Sequence, residues 1–144
     1  MFDVDLATWE EYEYEFMKKL LKPWVIGIHK PPRDKRKDRD IKVDYEDWTS
    51  KTFEVKWCPR AEEYWTIPIE FEYDGKPSGV FASIADYIVY KIWDKFYWQS
   101  RGKFLSELAA MKEKYWTVWW DNEKAKMFIV NLEWAKFFLL NEYK

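Results

Sequence analysis

The chain has 144 residues, 48% apolar and 35% charged, a composition that excludes a disordered chain and gives one domain, residues 1–144, room for its own core. With 24 Lys and Arg against 26 Asp and Glu, the net charge of −2 excludes a global basic field for nucleic acid, so any such site has to be local. One cysteine, Cys58, excludes an internal disulfide and a multi-cysteine zinc site.

No apolar run is long enough to cross a membrane. The acidic start Met1-Phe2-Asp3-Val4-Asp5 lacks the basic region of a signal peptide, so an intracellular protein is expected. His29 is the only histidine, and nothing resembles a nucleophile elbow. The 11 Trp and 22% aromatic content predict an aromatic core, with a subunit interface or base stacking as further uses.

Residues 6–22 have helical periodicity. Leu6, Trp9, Phe16 and Leu20 form a stripe that also carries Glu13. Asp5 or Thr8 can cap the start, Lys18, Lys19 and Lys22 suit the C-terminal end, and Pro23 stops the helix. Glu13 either reaches water at the stripe's edge or points inward. Trp24 to Ile28 reads as a short buried segment, with His29 in the loop after it. That loop, 30–39, is the most basic stretch: Lys30, Arg33, Lys35, Arg36, Lys37 and Arg39, broken by Pro31 and Pro32. It is either a solvated loop or an arm for phosphates.

Residues 40–59 alternate with period two on both sides of a polar turn, which predicts a hairpin. A turn centred near Trp48 sets Asp40 opposite Lys56, Lys42 opposite Glu54 and Asp44 opposite Thr52. Carboxylates and an ammonium on one such face can hold a hard divalent cation and activate water; a solvated strand with a weak ion pair is the plainer reading. Between Asp40 and Asp44, Asp40 is the better ligand, because Asp44 lies beside the turn with Glu46 and Asp47.

Residues 64–73 read as a third strand, with Pro68 at an edge or bulge. Asp74 to Gly79 is dense turn chemistry, and Ser78 can cap a short helix over 80–86. Residues 87–93 read as a buried strand, turned by Asp94-Lys95 into another at 96–99. A helix over 102–115, a hairpin of 116–120 with 127–130, and a final helix capped by Asn131 complete a mixed α/β chain.

Several of these residues carry a resemblance. Phe2-Asp3-Val4-Asp5-Leu6, Glu13, Glu54-Val55-Lys56, Ile69-Glu70, Gly75-Lys76-Pro77-Ser78-Gly79 and Ala85-Asp86-Tyr87 occur in that order. The set resembles the PD-(D/E)xK nuclease superfamily, and within it small phage- or virus-type nuclease-like proteins. It covers residues 2–93 by motif and the rest by element order; Tyr64-Trp65-Thr66 stands where members carry Thr-Gly-Asn.

The resemblance implies a restriction-endonuclease-like single domain, a central mixed sheet flanked by helices. It implies a Mg²⁺- or Mn²⁺-dependent DNA nuclease in the cytoplasm of a phage- or virus-infected host cell. Asp40 and Glu54 would hold the metal with the Val55 carbonyl, Glu13 would reach it from the helix, and Lys56 would serve the attacking water. Lys35, Arg36, Lys37, Lys76 and Ser78 are the candidate nucleic-acid contacts. DNA is the expected partner, and a homodimer is left open. The alternatives are a catalytically silent nucleic-acid-binding or structural viral protein on the same fold, and a protein-interaction module with a Trp-rich surface.

Overall fold

The computed structural model describes residues 2–30, 41–57, 63–110, 116–120 and 124–143. Its first element is α1, Phe2–Leu20, with Lys18 and Lys19 in the last turn. The helix begins four residues before the periodicity predicts. Glu13, Phe16 and Leu20 are buried on the expected stripe, and Pro23 blocks continuation because it has no N–H and fixes φ.

The chain then forms β1, Val25–His29, where a buried segment was expected. It is an edge strand with Ile26 exposed, bulged between Val25 and Gly27, and paired antiparallel with β2, Ile41–Tyr45. His29 therefore ends a strand and does not sit in a loop. β2 pairs antiparallel with β3, Ser50–Trp57, in the register Ile41↔Phe53, Lys42↔Thr52, Asp44↔Ser50.

This register is two residues off the expected one, because the turn centres one residue earlier. The Asp47 carboxylate accepts from the Thr49 amide at 3.0 Å and also from its hydroxyl. The Trp48 amide donates to the Tyr45 carbonyl at 3.0 Å. Such an Asx turn closes the loop around Asp47. A two-residue shift keeps every side chain on its predicted face and changes only its partner.

After β3 the chain leaves the sheet. β4, Thr66–Tyr73, and β5, Lys76–Pro77, join through Asp74-Gly75, both with positive φ, as Asp-Gly hairpin turns require. A single 3₁₀ turn, Gly79–Phe81, replaces the helix expected over 80–86. Ser78 stands at its N-cap without a side-chain cap bond. The chain returns as β6, Tyr87–Ile92, parallel to β3, and turns at Trp93-Asp94 into β7, Lys95–Ser100.

α2, Arg101–Ala110, fills most of the predicted helix; 111–115 lie outside the described residues. β8, Trp116–Trp120, and β9, Ala125–Asn131, form the expected second hairpin. The Asn131 side chain caps α3, Leu132–Trp134, accepting from the Glu133 and Trp134 amides. The helix widens to π turns over Ala135–Leu139, closed by Leu140 N–H to the Ala135 carbonyl at 2.7 Å. A two-residue strand, β10, Asn141–Glu142, follows and pairs with β7.

The result is an α/β architecture with a mixed six-stranded sheet, β1-β2-β3-β6-β7-β10, and a four-stranded antiparallel sheet, β5-β4-β9-β8. α1 packs Phe16 and Leu20 against one face of the first sheet, over Ile41, Val43, Phe53, Val55, Val89 and Phe96. The other face, through Ile88, Tyr90 and Ile92, joins a larger core with Ile67 and Ile69 of the second sheet, Phe104 and Leu108 of α2, and Leu132.

Gly79 is where the turn sequence acts through the backbone. Its φ is +56°, and a Cβ there would stand 2.3 Å from the Glu70 carbonyl oxygen. Gly79→Ala is expected to cost about 1–3 kcal/mol in denaturant unfolding. Parent-like stability would mean that the close approach to β4 is not needed.

Candidate functional site

β3 carries the candidate chemistry at its C-terminal end. The Phe53 ring lies 5.6 Å from Phe16, and the Trp57 ring 4.8 Å from Tyr12. Phe53, Val55 and Trp57 thus face α1, and period two turns Glu54 and Lys56 to the other face. Across the parallel ladder Glu54 pairs with Ile88 and Lys56 with Tyr90, both buried.

Lys56 Nζ lies 3.3 Å from Glu54 Oε1, with both side chains largely covered. Among the described residues the second oxygen, Glu54 Oε2, is buried and has no hydrogen-bond partner. An ionised carboxylate can accept at both oxygens, so a buried, unanswered one fits a cation or a water-bound cation.

Glu13 projects from the helix that covers the opposite face. It is 6% exposed, and Lys30 Nζ approaches its Oε2 at 3.7 Å. Among the described residues, no three or more His, Cys, Asp or Glu are gathered to hold a metal. Asp40, Lys35, Arg36 and Lys37 lie outside the described residues. Lys76 is exposed on β5, whereas the Ser78 hydroxyl is buried and has no partner among the described residues.

The register separates Asp44 from this site. Asp44 stands opposite Ser50, four residues from Glu54 along β3, or about 13 Å at strand rise. The expected pairing of Asp44 with Thr52, which set it one cross-strand step from Glu54, is corrected. Asp44 belongs to a polar cluster of its own: Ser50 Oγ donates to Oδ1 at 2.6 Å, and His29 Nε2 lies 2.7 Å from Oδ2. The Ser50 hydroxyl first, then His29, hold its carboxyl below the ordinary 3.8.

A carboxyl lowered on folding stabilises the fold above its unfolded pKa, and that contribution is lost as pH falls through the folded value. Asp44→Asn is therefore expected to flatten the decline of the melting temperature below about pH 3.8, the ordinary value. An unchanged acid limb would show that the cluster contributes nothing.

Two basic residues carry roles that sequence periodicity did not assign. Lys91 interrupts the apolar run of β6, and that interruption is the readable signal. It is buried, donates to Glu15 Oε2 at 2.8 Å and lies 3.9 Å from the Tyr12 ring centroid. Lys30, read as part of the basic loop, reaches Glu13 and the Tyr14 ring.

At the other end of β3 a concavity of about 410 Å³ is lined by Trp24, Tyr45, Glu46, Asp47, Thr49 and Lys51. Lys51 is tied there to the Tyr87 hydroxyl at 2.8 Å, which raises its pKa. The Asp86 carboxylate accepts from the Thr52 amide at 2.8 Å and locks β6 to β3.

Comparison with protein-family models, with curated proteins and with solved structures finds no match. Among the described residues no helix is long and apolar enough to cross a membrane.

Proposed function

We propose that the chain is a Mg²⁺- or Mn²⁺-dependent DNA nuclease of the PD-(D/E)xK type on a restriction-endonuclease-like fold, acting in a phage- or virus-infected host cell. The observation that carries the reading is the orphaned, buried Glu54 Oε2 beside Lys56. A carboxylate oxygen that no described group answers is free to take a cation or a water bound to one.

Glu54, Asp40 and the Val55 carbonyl would hold the ion. When bound, the metal supplies positive charge to a phosphodiester that becomes more negative as it is attacked. Lys56 keeps its ammonium beside Glu54, where it orients water and offsets charge on the phosphoryl oxygens. Glu13, paired with Lys30, stands on α1 across the sheet from this pair and is not among the groups that would hold the ion.

A catalytically silent nucleic-acid-binding or structural viral protein is the second reading. It is favoured by the position of Glu13, which rides α1 on the far side of the sheet from Glu54 and Lys56. Incubation with supercoiled, linear and branched DNA, with Mg²⁺, Mn²⁺ or EDTA, separates the two. The nuclease cuts at least one form only with metal, Asp40→Asn stops cutting, and Asp44→Asn leaves most of it. No metal-dependent cutting of any form would sink the first reading.

A further inference from the structure

Three of the four non-glycine residues with positive φ among the described residues are tryptophans: Trp48 at +69°, Trp65 at +59° and Trp93 at +55°. Bulky side chains rarely adopt this region, and turns that need it normally use Gly, Asn or Asp. Trp93 takes the first position of the two-residue turn between β6 and β7, where Ile92 pairs with Lys95. Burial does not account for the choice: Trp48, Trp65 and Trp93 are 91%, 52% and 39% exposed. Backbone strain at an exposed aromatic points to use of the ring.

Trp65 and Trp93 meet. Their ring centroids lie 5.3 Å apart, edge to face. Lys136 Nζ lies 5.7 Å from the Trp93 centroid, and Tyr64 beside Trp65 is exposed. Trp93 follows β6, whose Tyr90 pairs with Lys56. The aromatic pair is thus at the C-terminal end of the parallel strands β3 and β6, about 10 Å in strand rise beyond the Glu54–Lys56 site. Trp48 is at the opposite end, in the β2–β3 turn.

We propose that Trp65 and Trp93, with Tyr64 and Lys136, form a stacking platform for the bases of an unpaired nucleic-acid strand running to the Glu54–Lys56 site. Every base has a face to stack, whereas a duplex hides those faces. Lys136 supplies a cation for the phosphates, while Glu63 and Asp94, the exposed carboxylates next in sequence, oppose them. Stacking therefore dominates affinity, and salt dependence is shallow. The platform rests on the nucleic-acid reading of the site but not on cleavage.

The test is binding of fluorescent oligonucleotides to the full chain in EDTA, by anisotropy. The probes are a single-stranded oligomer, an abasic oligomer of equal length and a duplex. The single strand should bind best. Trp65→Ala and Trp93→Gly should each weaken it by at least about fivefold, and Trp48→Ala should leave it unchanged. Trp93→Gly suits the turn, so its melting temperature should equal or exceed the parent's while binding falls.

Equal binding of the abasic oligomer, or parent-like binding by both platform variants, overturns the proposal, as does a preference for duplex. Base-dependent binding without metal-dependent cutting keeps the platform and removes the nuclease. Cutting with parent-like binding by both variants does the reverse.

Discussion

Glu54→Gln is expected to lower metal-dependent DNA cleavage by a factor on the order of 10² or more, and Lys56→Met to do the same. Gln keeps the shape of Glu54 but removes its charge, so Oε2 no longer offers a cation an anionic ligand. It also leaves the Lys56 ammonium, 3.3 Å away in the parent, without its carboxylate. Met keeps most of the Lys56 chain volume against Tyr90 and removes only the cation. Both variants should retain the parent's circular dichroism, because the pair sits at the edge of the larger core. Parent-like initial rates at saturating Mg²⁺ in either folded variant would sink the assignment of this pair.

Phe16→Ala should be the most costly single change to the fold, at about 3–5 kcal/mol in denaturant unfolding. Phe16 is wholly buried, with ring centroids of Phe96, Tyr143 and Phe53 at 5.2, 5.3 and 5.6 Å. It is the side chain through which α1, β3, β7 and the segment after β10 meet. Its removal leaves a void that four elements would have to close together, and close-packed rings do not collapse cheaply. Lys18→Ala, on the exposed side of the same helix, should stay within about 0.5 kcal/mol of the parent. A loss below about 1 kcal/mol for Phe16→Ala would mean that α1 is not anchored there.

The elements were legible where a period ran long enough. α1, β2, β3 and β4 follow from apolar residues at helical or alternating spacing, β6 from a nearly continuous apolar run, and the Asn131 cap from its side-chain oxygen. Short or contrary elements were not. β10 has two residues, too few to alternate. β1 is a bulged edge strand with Ile26 in water. The β6–β7 turn places Trp93 where turn chemistry calls for glycine.

Of the candidate site, the Glu54–Lys56 pair was readable because one strand carries both. What sequence does not contain is which faces meet. Glu13 rides the helix on the far side of the sheet from that pair, and the hairpin register depends on how the Asp47 side chain bonds to Thr49.

The Tyr143 amide donates to the Phe96 carbonyl at 2.7 Å, and its ring packs on Phe16. A residue from α1 and one from the segment after β10 thus complete a single core. On the ribosome, α1 emerges before every strand it packs on, and its apolar stripe has no finished surface to settle on until Tyr143 has been made. Until then that stripe stays open to chaperones and to other nascent chains. The first sheet is therefore sealed only once Phe16 and Tyr143, far apart in sequence, are both in place.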